Sequence, residues 1–159
     1  LGKLVFLLVI FSSYIIIFLA DLKYQLIPDL AVIPSIILVL IVTFFTVPFS
    51  DFSAHLISAL LLTLFFWSLY FFTKGKGMGF GDVKLALLIG LFNSFPQNII
   101  AIFGSFILGA LFSILLMIFG RAGMKTKIAF GPFMVISSVV TLVFGRLILR
   151  WYVSRWFGV

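Results

Sequence analysis

Long apolar runs separated by short polar connections organise this chain. Six stand out: Leu4–Ala20, Leu30–Val47, Ala54–Phe72, Val83–Phe92, Ile99–Phe119 and Phe130–Leu149. A helix crosses a bilayer with about 20 apolar residues, and about 17 is the lower limit. The fourth run is short, and it either starts inside the membrane or extends through Asn93 and Ser94. The pattern predicts an all-α polytopic membrane protein of about six transmembrane helices. Because the runs follow one another so closely, a single membrane-embedded domain is expected over residues 1–159. Ser105, Gly109 and Ser113 recur every four residues on the fifth run, and Ser137, Thr141 and Gly145 do so on the sixth. Small residues at that period let helices approach where no hydrophobic force drives them together, so these positions read as packing seams rather than catalytic serines.

Composition removes the soluble alternatives. Hydrophobic residues make up 64% of the chain and charged residues 9%, against roughly a quarter charged in a soluble domain. The net charge of +7 does not indicate a nucleic-acid partner, because the basic residues are scattered through short connections. Lys23, Lys74, Lys76, Lys84, Arg121, Lys125 and Lys127 fall around residues 21–29, 73–84 and 120–129, whereas the connections around 48–53 and 93–98 carry no lysine or arginine. The two kinds alternate, as six spans require, so the basic connections are expected on the cytoplasmic side of the inner membrane and both chain ends outside. Arg146, Arg150 and Arg155 then lie outside, where with Trp151, Tyr152 and Trp156 they are expected to form a tail along the outer headgroups. The first run has too few basic residues and no nearby small-residue cleavage site, so it reads as a retained span rather than a removed signal.

Two carboxylates stand out on this scaffold. Asp21 ends the first run, and Asp82 follows Gly77-Met78-Gly79-Phe80-Gly81 at the start of the fourth. On the predicted topology both face the cytoplasm. Ionisable groups beside membrane-buried segments are rare and mark function by default. Two carboxyl groups brought close in a low-dielectric site share one proton. The ionised member can then activate a water while the protonated one polarises a peptide carbonyl, which is aspartic-protease chemistry. Such chemistry needs no metal or cofactor, and none is expected here. The chain has no cysteine, and its one histidine, His55, falls on the side opposite the aspartates. Gly77, Gly79 and Gly81 are expected to supply backbone conformations closed to other residues and close approach for a substrate backbone. The plainer readings are that Asp82 caps the fourth helix, Asp29 the second and Asp51 the third, that Asp21 pairs with Lys23, and that Lys84 either snorkels or biases the site. The two aspartates are expected to share one polar cavity bordered by residues 77–81.

Three segments together carry a family resemblance. Asp21-Leu22-Lys23-Tyr24-Gln25-Leu26-Ile27-Pro28-Asp29 resembles the first catalytic segment of type IV prepilin peptidases. Gly77 to Leu85 resembles their GMGxGDxKL segment. Lys127-Ile128-Ala129-Phe130-Gly131-Pro132-Phe133 is similar to their IPFGPF segment, with Ala129 in place of the usual proline. Presenilin-type proteases share the GxGD element, but their first aspartate follows a tyrosine, and here Ala20 precedes Asp21. The resemblance implies a GxGD aspartyl protease bundle with Asp21 and Asp82 as the catalytic pair. Gly77, Gly79, Gly81, Lys84, Pro28, Gly131 and Pro132 would then be substrate-site or structural support. It implies removal of a basic leader from prepilin-like substrates at the cytoplasmic face. It also implies a short form of the family, without the amino-terminal CxxC region linked to N-methylation. The competing reading is a small proton- or cation-coupled transporter that uses the same aspartates, although no internal repeat of the kind such proteins carry is evident. A third reading, an inactive assembly scaffold, is disfavoured by the intact aspartates.

Overall fold

In lipid, backbone amides find no partner but their own carbonyls, so each apolar run closes into a helix. The computed structural model describes residues 1–120, 123 and 126–157, with side chains through Arg155. Arg121 and Lys125, counted above among the basic connections, and the Trp156 side chain lie outside the described residues. Six helices follow in order: α1 Gly2–Tyr24, α2 Asp29–Thr46, α3 Phe49–Thr73, α4 Phe80–Asn93, α5 Gln97–Ile118 and α6 Gly131–Phe157. Among the described residues there is no strand. All helices except α4 are long and apolar enough to cross a membrane. The chain is therefore a multi-pass membrane protein.

The short fourth helix is the hub. Its 14 residues span about 20 Å at 1.5 Å per residue, less than the ~30 Å hydrocarbon core. Leu85, Ala86 and Leu88 are fully buried, and α4 packs against α2, α3, α5 and α6. A helix apolar all round needs such surroundings. Gly90 allows the closest approach, since a Cβ there would lie 2.6 Å from the Cα of Ala59 on α3. The most extensive pairings are α3 with α4 and α5 with α6. In the second, Ser105, Ser137 and Thr141 are buried, and a Cβ on Gly104 would run into Ser137 Oγ. The small-residue seams pack helices, as their spacing implied.

Several local expectations are corrected. Helix α1 does not stop at Ala20. It continues to Tyr24 and closes on Gln25, which adopts the left-handed conformation (φ 51°) and donates its N–H to Asp21 O at 2.9 Å. Asp21 thus sits in the last helical turn. Asp51 and Asp29 are not caps. Pro48 and Pro28 occupy those positions, and the aspartates lie in the first turns of α3 and α2, where the helix dipole favours a carboxylate. Trp151, Tyr152 and Arg155 do not form a separate tail. No breaker follows Gly145, so α6 runs on through 27 residues, about 40 Å, and holds them as continued helix.

Candidate active site

The site lies where three helix ends meet. Asp21 comes from the end of α1, Asp82 from the first turn of α4, and Gly131 opens α6. Both aspartates are almost fully buried, at 5% and 7% exposure. Each is held through one oxygen by a backbone amide. Gly131 N–H donates to Asp21 Oδ2 at 2.9 Å, and Gly79 N–H donates to Asp82 Oδ2 at 3.1 Å. The second bond is half of a capping box: Gly79 is the N-cap and Asp82 the third helical residue. Asp82 therefore does stabilise the helix start, but from inside the first turn. Oδ1 of each carboxyl group is left without a hydrogen-bond partner among the described residues.

Both carboxylates line the same two adjoining cavities. One, of about 400 Å³, is bounded by Leu26, Ile27, Asp29, Phe80, Gly81 and Lys84. The other, of about 570 Å³, is bounded by residues 75–79 and 126–130. Asp21, Gln25, Gly79 and Asp82 line both, so the aspartates sit at the junction of an extended groove.

The glycines act differently from expectation. None of Gly77, Gly79 and Gly81 has a positive φ; Gly75 does, at 72°. What the site needs from the others is space. A Cβ on Gly81 would lie 2.9 Å from Ile27 Cβ, and one on Gly77 would lie 3.1 Å from Thr73 Cγ2. Gly79 is roomier, with nothing nearer than 3.6 Å. Gly131 is the most demanding, because a Cβ there would sit 2.6 Å from Asp21 Oδ2 and 3.2 Å from Ile27 Cδ1.

Ile27 was missed as a separate contributor. It is buried in the turn between α1 and α2, wedged between Gly81 and Gly131, and so spaces the two helix starts that serve the aspartates. The available signal was an apolar residue kept inside a short polar turn. Pro28 follows it and serves as the N-cap of α2. Gln25 was also missed. Its side-chain amide donates to Lys127 O at 3.2 Å and ties the α5–α6 connection across the groove. Phe130 packs on Phe66 and Phe106, with ring centroids 6.2 and 5.1 Å away, and so anchors the backbone just before Gly131 and Pro132. Lys84 does not pair with Asp21 or Asp82: it pairs with Asp29 at the groove rim. His55 lies at the other end of the bundle, donating from Nδ1 to the Leu91 carbonyl at 2.7 Å.

The model of the type IV leader peptidase family matches residues 8–114, a stretch that contains both aspartates. The prepilin leader peptidase/N-methyltransferase of Pseudomonas aeruginosa is 32% identical over 140 residues, which cover 86% of this chain and 48% of that protein. The protein of the same name from Stutzerimonas stutzeri is 33% identical over 138 residues, covering 84% and 47%. That from Legionella pneumophila is 32% identical over 139 residues, covering 86% and 48%. The chain thus spans about half the length of these curated relatives. No solved structure matches it significantly. With well over half of its residues under the family model and two amide-held carboxylates at one groove, the chain belongs to the type IV leader peptidase family.

Proposed function

We propose that this chain is a membrane aspartyl endopeptidase that removes the basic leader of prepilin or pilin-like substrates at the cytoplasmic face of the inner membrane. Family membership supports the reaction class, and the relatives' names supply the prepilin substrate. The observation that carries it is the junction itself, where Asp21 and Asp82 line both lobes of one groove and each keeps one oxygen clear of the backbone amide that orients it. In this reading the two carboxyl groups share one proton. The ionised member takes a proton from a water, and that water attacks the scissile carbonyl. The protonated member donates to the carbonyl oxygen and then stabilises the tetrahedral intermediate. Collapse of the intermediate breaks the C–N bond, and a carboxyl proton goes to the departing amine. The N-methyltransferase activity in the relatives' names forms no part of this proposal.

The direct test is cleavage. The purified chain in detergent or bilayers should cut a pilin-like protein with a basic leader and an apolar stem at a single bond after the leader. An intact substrate under conditions where the helical fold is retained would reject the reading.

Sidedness is tested separately. The chain lacks cysteine, so single thiols can be introduced freely. In sealed cells a Lys76→Cys thiol should resist impermeant maleimides, and a Ser50→Cys thiol should react. The expectation follows from the basic connections facing the cytoplasm. The opposite labelling would place the groove on the wrong face for leader removal.

A further inference from the structure

The end of the bundle opposite the aspartates holds a second polar recess. Helix α4 stops about 10 Å short of a full crossing. Above its last turn lies a cavity of about 670 Å³, lined by the start of α3, the end of α4, the start of α5 and the middle of α6. Backbone that leaves a helix at membrane depth is tolerated where it is buried in protein or lines a wet cavity.

The chemistry of this recess is unusual for a structural gap. Asp51 and Arg146 both line it, yet they do not pair; the ion pair among the described residues is Lys84–Asp29. Two buried polar atoms of its lining residues, Asn93 Oδ1 and Thr141 Oγ1, have no hydrogen-bond partner. Leaving such atoms unpaired costs about 1–3 kcal/mol each, so native structures normally satisfy them. Asn93 is not loose, because its amide nitrogen donates to Ser138 Oγ at 2.6 Å. His55 spends Nδ1 on the Leu91 carbonyl, which leaves Nε2 as an acceptor in the neutral ring. The recess thus offers one cation, one anion, several neutral acceptors and an apolar wall of Val47, Phe92 and Leu142.

We infer that this recess binds a zwitterionic headgroup, a phosphodiester bearing a primary ammonium, and that the ligand is phosphatidylethanolamine from the adjacent leaflet. Arg146 takes the phosphate, and Asp51 takes the ammonium. The ammonium's remaining protons suit neutral acceptors such as His55 Nε2. Asp51 accepts a hydrogen bond from Ser50 Oγ at 3.4 Å, but an anionic headgroup would leave its charge without a counter-ion, and a quaternary ammonium has no proton to donate. The apolar wall and the position at the bilayer edge favour a lipid over a soluble zwitterion.

The test uses the whole chain in mild detergent, exchanged into mixed micelles holding equal amounts of phosphatidylethanolamine, phosphatidylcholine and phosphatidylglycerol with the same acyl chains. Bound lipid is counted by native mass spectrometry. Phosphatidylethanolamine should be retained about tenfold over the other two, the difference made by one charge-assisted hydrogen bond. Asp51→Asn should erase the preference over phosphatidylcholine, and Arg146→Gln should weaken retention of all three. Both side chains are exposed, so neither change threatens the fold. Equal retention of the three lipids, a preference for phosphatidylglycerol, or a preference that survives Asp51→Asn would overturn the assignment. Soluble glycerophosphoethanolamine binding as tightly as the lipid would replace the membrane ligand with a soluble one.

Discussion

Asp21→Asn and Asp82→Asn are each expected to abolish leader cleavage while leaving the helical fold intact. An amide is nearly the size of a carboxyl group and still accepts the backbone hydrogen bond, from Gly131 in one case and Gly79 in the other. What it cannot do is share or pass the proton. Loss of one proton-transfer group costs on the order of 10²–10⁴-fold in rate. In the proposed reaction the two groups act as a unit, so the double variant should be no worse than either single one. The measurement is single-turnover cleavage of a purified pilin-like substrate, with circular dichroism and detergent gel filtration to check the fold. Measurable turnover near the parent rate in either variant would remove that residue from the catalytic pair.

Gly131→Ala is expected to be nearly as damaging, although it removes no chemical group. The added methyl carbon would fall 2.6 Å from Asp21 Oδ2 and 3.2 Å from Ile27 Cδ1. The carboxylate must move, and a shift of about 1 Å at a reacting group can cost around 10²-fold in rate. The loss should fall on kcat more than on KM, because the groove walls are unchanged. Gly79→Ala is the contrasting case, since its nearest neighbour would be 3.6 Å away and its φ of −78° is open to alanine. It should keep most activity. If Gly131→Ala cleaves at the parent rate, Asp21 is not positioned by this contact. Equal loss in the two alanine variants would mean that general disturbance of the site, rather than this one clash, sets the rate.

The helices were legible because lipid leaves the backbone no other way to satisfy its amides, so apolar length alone located all six, although α3 starts earlier and α6 ends later than its apolar run. The two aspartates were legible because carboxylates are so costly at a membrane boundary that few remain. Their partners were not. Gly131 was singled out only through resemblance, and nothing in a glycine's own composition announces that its amide will serve a carboxylate 110 residues away. The special backbone conformations expected at Gly77 and Gly81 are absent for a related reason. Local sequence suggests backbone freedom, but the constraint comes from side chains that approach from elsewhere, Thr73 and Ile27. Lys84 found Asp29, 55 residues away, and a lysine beside an aspartate in sequence gave no sign of that choice. Local pattern carries the helices, while the fit between their ends is a property of the assembled bundle.

The reach from Gly131 to Asp21 also bears on the protein's biogenesis. Membrane chains are made from one end, and α6 is the last helix of the bundle to leave the ribosome. Until it inserts, both carboxylates are already present, but Asp21 lacks the amide that orients it, and the α5–α6 connection that walls one lobe of the groove is not yet laid down. A half-made chain therefore holds both carboxyl groups without the amide that orients Asp21. On the proposed reading, insertion of α6 is the step that completes the site.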